Sequence, residues 1–461
     1  MSNKITQQIN DICVTYEPDL SLHCFEKIKN QPWAMLLRSP SDNHPDSRYD
    51  ILVANPVAKI ITTGNETEVI TRNEHYTSTS DPFEILSKTQ EELLPTLDEN
   101  LWSEYPFVGG ALGYFSYDLG RRIEKIPNEA LNDISLPDMA IGLYSWALIV
   151  DHHRKTANIV GLDVQTVFSW LITDLPTLSE KDYFKTTGPW TTNMSKASYQ
   201  NKFNAIQEYL KSGDCYQINL TQRFKTSYEG SEWYAYKKLE TDNKAPFSGF
   251  LRFDDHSILS ISPERFLKLD NQHIETKPIK GTKPRSENKK EDQWLAQQLE
   301  NSDKDQSENL MIVDLLRNDI GRVAQPGSVK VPKLFSIESF PAVHHMVSTI
   351  IARLDKHKTV TDLLRATFPG GSITGAPKVR AMEIIEELEP NRRSVYCGSI
   401  GYISRNRKMD TNIAIRTLIA KKQNLYVWAG GAIVADSKVD SEYQETYDKL
   451  AKILPCLAEK N

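Results

Sequence analysis

Apolar residues recur at three- and four-residue steps at Tyr199, Phe203, Ile206 and Leu210, which predicts an amphipathic helix. Ser195 is placed to cap its start and Gly213 to end it, and the run Gln217-Ile218-Asn219-Leu220 then opens a strand. A second helical face, Tyr443, Tyr447, Leu450 and Leu454, predicts a helix over 440–457 capped by Asp440 or Ser441. Elsewhere the runs are short and strand-like. Residues 144–150 and 156–160 flank the polar turn Asp151-His152-His153-Arg154-Lys155 and predict a β-hairpin whose two histidines are solvated. Further strands are expected at 246–253 and 258–262. The hydrophilic stretch 283–305 supports at most a solvated helix around 294–299, and an apolar helix over 309–316 follows, with Glu308 just ahead of it.

From about Thr173 to Trp190 the hydrophobic period disappears, and Pro176, Gly188 and Pro189 punctuate a polar stretch. The expected organisation is therefore an N-terminal lobe over 1–175, a linker over 176–190 and a C-terminal region over 191–461. Helices and strands come in blocks rather than in βαβ alternation, which favours an α+β fold over a doubly wound parallel sheet. At 461 residues the chain exceeds one ordinary core, so one two-lobed unit or two closely packed domains are expected.

A net charge of -6 with acids and bases interspersed argues against nucleic acid as a partner. The opening residues 1–8 contain no apolar signal core, and no stretch approaches the ~18 apolar residues that span a bilayer. A cytoplasmic protein without membrane contact is expected. The five cysteines, Cys13, Cys24, Cys215, Cys397 and Cys456, are scattered, so reduced and mostly buried thiols are expected rather than disulfides or zinc.

Three groups of residues carry candidate chemistry. Lys280, in Pro278-Ile279-Lys280-Gly281-Thr282, lies where a strand enters a tight turn. Desolvation there would favour the neutral, nucleophilic amine, and a strand-end salt bridge is the alternative. Glu442 and Glu445 share one helical face, and with Glu308 they could supply the oxygen ligands Mg²⁺ prefers. From spacing alone, an ordinary Glu445–Lys449 helix pair is favoured over a metal site. The glycine-rich turn from Phe368 to Lys378 opens a helix suited to a carboxylate or phosphate, yet it has neither P-loop nor dinucleotide-fingerprint spacing. A second glycine turn, Ala429-Gly430-Gly431-Ala432-Ile433-Val434, could offer backbone amides to another carboxylate.

These segments resemble the chorismate-utilising enzymes over essentially the whole chain. The likeness is carried by Pro32 to Leu37, Leu112 to Arg122, Ser262-Pro263-Glu264-Arg265-Phe266, Glu308 to Arg322, Phe368 to Lys378 and Ile433 to Ser437. It implies a two-lobed α+β fold with large, mostly antiparallel sheets packed face to face and flanked by helices. Two positions indicate the branch. Relatives that add water to chorismate resemble this chain except for a lysine base at the position of Gln217, and glutamine cannot deprotonate anything, so ammonia is the expected nucleophile. Anthranilate synthases typically have alanine at the position of Lys280, so the lysine points to the aminodeoxychorismate branch. Anthranilate synthase and a non-catalytic regulatory paralogue are the competing readings.

The resemblance implies catalytic roles for Lys280, Glu264, His345 and Gln217. Lys280 would attack the ring, Glu264 would protonate the departing hydroxyl, and ammonia would displace the lysine. It further implies Mg²⁺ on Glu308, Glu442 and Glu445, and substrate contacts from Thr282, Tyr396, Arg416, Gly430, Ala432 and Lys449. Ala432 stands where relatives commonly have glycine. A tryptophan pocket walled by Ser39, Ser47, Arg48, Tyr49, Pro246, Phe247 and Ser248 is implied as well. No amidotransferase elbow surrounds Cys215 or Cys397, so a separate glutaminase subunit is the expected source of ammonia.

Overall fold

Successive residues of the central strands feed two different cores. Met35, Ile51, Val53 and Ile149 face one apolar cluster, while their neighbours Leu36, Leu52, Leu148 and Val150 face another. That period of two is the signature of a sheet buried on both faces. The computed structural model describes residues 9–40, 44–97, 102–173, 175, 183–339 and 343–458. The opening segment 1–8 and residues 176–182 of the expected linker lie outside the described residues.

Among the described residues, 13 strands form one sheet and 12 a second, with antiparallel neighbours throughout both. Their facing sides bury one shared core, to which Met35, Ile51 and Ile149 contribute from the first sheet and Ile60, Ala111 and Leu143 from the second. On its outer side the first sheet is covered by helices Leu20–Ile28, Val164–Leu171 and Glu232–Asn243, through Phe25, Leu171, Trp233 and Leu239. Each such buried side chain stabilises the fold by roughly 1.5–3 kcal/mol. This is the expected α+β architecture of antiparallel sheets flanked by helices.

Strands from both halves of the chain interleave. Met35–Arg38 pairs with Phe247–Arg252, and Gly110–Phe115 pairs with Ser399–Ser404. The sequence division near residue 175 is therefore not a division between sheets. The chain instead crosses from one sheet to the other within a few residues. It does so between His256–Ser262 and Arg265–Asp270, and again between Met409–Asn412 and Thr417–Lys421. The two crossings are joined by hydrogen bonds from Ser262 Oγ to Ile413 O (2.6 Å) and from Ile413 N to Glu264 O (3.0 Å).

The expected helix after Ser195 and the expected hairpin both form. The helix Lys196–Ser212 is capped by Ser195, which accepts from Ser198 N, and ends at Gly213 with φ of 80°. The hairpin forms from Trp146–Asp151 and Thr156–Gly161. The five cysteines are all free, with Cys24, Cys215 and Cys397 buried and Cys13 exposed. Among the described residues no helix is long and apolar enough to cross a membrane.

Other expectations are corrected. His152 is not merely solvated, because its Nε2 lies 3.1 Å from the buried Asp50 carboxylate. The region 440–457 is not one helix. It breaks into Val439–Asp448, preceded by Lys438 without a side-chain cap, and Leu454–Leu457, as the bonds tighten to three-residue steps at Leu450 N–Tyr447 O and Ala451 N–Asp448 O, and Pro455 falls in the first turn of the second piece, where its missing N–H is tolerated. The polar stretch 283–305 carries a full helix, Lys289–Glu300, and the next helix starts at Asp303 under a Ser302 cap, so Glu308 lies inside Asp303–Gly321 rather than before it.

Candidate active site

Glu264 stands at one inter-sheet crossing and Arg416 at the other, so the linkage between the sheets brings the candidate residues to one end of the shared core. Lys280 comes from strand Ile279–Pro284, not from a turn. The register shifts between Lys280 and Thr282, and Gly281, at φ of 77°, forms the bulge. A bulge re-aims the adjacent side chain, and a Cβ at this glycine would stand 2.7 Å from Leu299 and 2.8 Å from Asp305.

The Lys280 amine lies 3.5 Å from the carbonyl of Ser372. Burial pushes it below its ordinary value and the charge of Lys449 adds to this, while Glu308, Glu264 and Glu445 oppose it. Glu264 is itself buried, which raises its carboxyl to about 7 against the pull of Lys280, the Ser372 hydroxyl and the Ile279 N–H. A carboxyl near 7 is partly protonated at neutral pH and can act as an acid. Ser372, from the glycine-rich segment, thus touches both groups, a role the sequence reading did not assign.

On the other side of Lys280, two helices bring in carboxylates. Glu308 projects from Asp303–Gly321, and Glu442 and Glu445 project from Val439–Asp448. Burial raises both Glu308 and Glu442, and Lys304 opposes the rise in each. Lys304 Nζ lies 3.8 Å from Glu308 and 3.7 Å from Glu442. Lys449 bonds both Glu445 (2.6 Å) and the carbonyl of Gly430 (2.7 Å), so the helix pair expected from spacing forms inside the site. Glu442 Oε2 is buried without a hydrogen-bond partner, and Gly431 is close-packed against the pair: a Cβ there would stand 3.0 Å from Glu442 and 3.3 Å from Glu445. An all-oxygen, anionic donor set with a spare buried oxygen fits a hard divalent cation. Among the described residues the carboxylates are not closed into a ready metal cage, and the Lys304 ammonium stands between two of them.

The segment from Ala429 to Ile433 is not a turn, because it continues strand Asn424–Ile433. Ala432 has no positive φ, so its backbone does not require glycine. Ala432 lies opposite Asn219, whose N–H bonds Thr374 on the far side. That makes the pair a non-hydrogen-bonded one, so the Ala432 N–H points away from the ladder. Strand Thr417–Lys421 stops short of it, which leaves this amide outside the paired part of the sheet.

Thr282 Oγ1 and His345 Nδ1 share a 2.8 Å hydrogen bond across the same strand pair. Burial and the charge of Arg416 hold the imidazole at about 4, so it is neutral at neutral pH. Burial also lowers Arg416, and among the described residues no carboxylate pairs with it. A desolvated guanidinium in that state is a ready partner for an anionic ligand. Tyr396 stacks on Trp428, with centroids 6.0 Å apart and planes 8° from parallel. Gln217 is fully buried and neither amide atom has a partner, and Asn219 Oδ1, two residues along the same strand face, also lacks one. Two amides spaced by two at the start of this strand, alternating with Ile218 and Leu220, were a visible signal, and only Gln217 was read from it.

Of the residues expected to wall a tryptophan pocket, five share one cavity. Ser39, Tyr49, Pro246, Phe247 and Ser248 line a cavity of about 80 Å³ with Asp46, Asp410 and Asn412. Ser47 and Arg48 are not part of that wall. Arg48 turns to Asp151 at 2.8 Å and lies over the Tyr49 ring.

A family model described as chorismate binding enzyme matches residues 34–455. The chain is 55% identical over 445 residues to aminodeoxychorismate synthase component 1 of Salmonella typhimurium, covering 96% of this chain and 97% of that one. It is 53% identical over 446 residues to aminodeoxychorismate synthase component 1 of Escherichia coli, covering 96% and 97%. Among solved structures it is similar to anthranilate synthase component I from Streptococcus pneumoniae, with a TM-score of 0.78 at 32% identity, covering 90% of this chain and 93% of that chain.

Proposed function

The chain belongs to the family of chorismate-binding enzymes, and from that membership we propose that it performs the aminodeoxychorismate synthase component 1 reaction, converting chorismate and ammonia to 4-amino-4-deoxychorismate and water. The lower identity to an anthranilate synthase, 32% against 55%, supports this branch over the other. The single observation that carries the chemistry is the desolvated Lys280 amine facing Glu264, whose carboxyl sits at about 7.

In the proposed sequence, the neutral Lys280 Nζ forms a bond to C2 of the ring. The diene electrons shift, and the C4 hydroxyl takes a proton from Glu264 and leaves as water. Ammonia then bonds to C4, the double bonds shift back, and the C2–Nζ bond breaks to return the lysine. Glu264 sheds its charge by regaining a proton before the next turnover. Gln217 can donate and accept hydrogen bonds but cannot generate hydroxide, which keeps water from replacing ammonia as nucleophile. Arg416 and Tyr396 would hold the enolpyruvyl carboxylate, with the Thr282–His345 pair beside them. The Gly430 and Ala432 backbone and Lys449 would face the ring carboxylate. Glu308 and Glu445, with Glu442 directly or through water, would hold Mg²⁺, which when bound neutralises and orients that carboxylate.

Ammonia would come from a separate glutaminase subunit. The cavity lined by Tyr49 and Phe247 is the place proposed for tryptophan, and equilibrium dialysis with labelled tryptophan against a Phe247→Ala variant decides that point.

Incubation with chorismate, Mg²⁺ and an ammonium salt tests the main reading. Aminodeoxychorismate without pyruvate is expected, whereas anthranilate plus pyruvate would assign the chain to the other branch. Omitting ammonia should leave a mass adduct on the tryptic peptide containing Lys280, which Lys280→Ala abolishes along with most turnover. Full activity in that variant would rule out the covalent route.

A further inference from the structure

Lys304 is not among the residues given a role above, yet its ammonium lies between two of the three carboxylates of the cluster. It lies one helical turn before Glu308 on the same helix and reaches Glu442 on a different one, at 3.8 and 3.7 Å. The two carboxylate side chains are 11% and 4% exposed, while the lysine side chain is 50% exposed. The lysine is thus half-exposed while both carboxylates it reaches are buried. Lys449, the other lysine of the cluster, is fixed by Glu445 and by the Gly430 carbonyl. Among the described residues, Lys304 has no such anchor beyond its two ion pairs.

A cation held only by contacts near 4 Å, on a flexible and half-exposed stem, is easily displaced. It still sets a positive charge against two buried carboxylates. Mg²⁺ binds carboxylate oxygens at about 2.0–2.1 Å, and an ammonium cannot remain against the same oxygens without strong like-charge repulsion. We propose that Lys304 is a tethered counter-ion that fills the carboxylate cluster when no metal is present and swings out when a divalent cation binds, so that it competes directly with the metal and sets its apparent affinity. This rests on the reading that Glu308, Glu442 and Glu445 hold Mg²⁺.

The test compares wild type with Lys304→Met, which keeps the side-chain length and removes the charge, and with Lys304→Gln as a second variant. Mg²⁺ affinity is measured by calorimetry in 0.1 M and in 0.5 M KCl, and thermal unfolding is followed with EDTA and with saturating Mg²⁺. Both variants should bind Mg²⁺ about five- to tenfold more tightly, and part of the gain should persist in 0.5 M KCl because charges in contact lie inside the screening length. Without metal they should melt below wild type, and saturating Mg²⁺ should close most of the gap. Equal or weaker Mg²⁺ binding in the variants would overturn the role of Lys304 while leaving the metal site standing. A gain that vanishes in 0.5 M KCl would overturn it too, by assigning the effect to long-range charge. Absence of Mg²⁺ binding in wild type and variants alike, with no effect of Glu308→Gln on the titration, would overturn the metal reading and this inference together.

Discussion

Glu264 is the residue at which acid chemistry and stability pull against each other. Burial raises its carboxyl from 4.5 to about 7, so the fold resists its ionisation. A raised folded value means that the stabilising contribution is fully present below the unfolded value and is lost as pH rises through about 7. The loss is about 3 kcal/mol by the usual conversion of a pKa difference to free energy. Glu264→Gln removes the ionisation, so its stability relative to wild type should improve by up to that amount between pH 4 and pH 8, read from urea midpoints at each pH. Turnover by the variant should fall by about 10²–10⁴-fold, as for loss of a general acid. Wild-type turnover at saturating free ammonia should decline above pH 7 as the acid form is depleted. A stability difference that stays constant with pH would show that Glu264 ionises in the fold as it does in water.

The supporting elements fix how tightly these groups can be placed. Gly281→Ala puts a Cβ at φ of 77° and within 3 Å of Leu299 and Asp305, so it should cost at least about 1 kcal/mol in unfolding free energy. Because the bulge aims Lys280, the same variant should lose adduct formation more than it loses stability, which mass spectrometry of the Lys280 peptide checks at a temperature where the variant is folded. Glu308→Gln and Glu445→Gln each remove one anionic oxygen set from a separate helix, and each should abolish turnover with little change in the far-UV circular dichroism spectrum. Near-normal activity at modest Mg²⁺ in both would reduce these glutamates to helix-surface charges. The helices themselves were unevenly legible. Lys196–Ser212 was readable because apolar spacing, serine cap and left-handed glycine agree. The start of Asp303–Gly321 was not, because its first turns are exposed and charged and show no apolar period, and Lys304 was missed with them. The break after Asp448 was hidden by the apparent apolar face that runs on through Leu450 and Leu454. The strand bulge at Gly281 was read as a turn, since a glycine after a short apolar run fits either.

For the whole molecule, the source of ammonia is the sharpest question. Burial pushes the Cys215 thiol up to about 11 and the Cys397 thiol to about 12, which leaves neither as a thiolate able to attack glutamine. The purified chain should therefore turn over with ammonium salts, increasingly with the free NH₃ fraction, and should use glutamine only after a glutaminase subunit is added. Efficient glutamine use by the chain alone would contradict this. The convergence of Glu264, Lys280 and Arg416 was beyond sequence patterns, since it arises from two crossings between sheets that pair residues far apart in the chain. The same interleaving has a cost during synthesis. The strand Gly110–Phe115 waits for Ser399–Ser404, so almost three hundred more residues must emerge before that edge is covered. At ordinary translation speeds of about 5–20 residues per second, the delay is roughly 15–60 s. For that interval the nascent chain presents an apolar, unpaired strand edge of the kind that recruits other strands. Yield in the cell should depend on what shields that edge on the ribosome as much as on the stability of the finished fold.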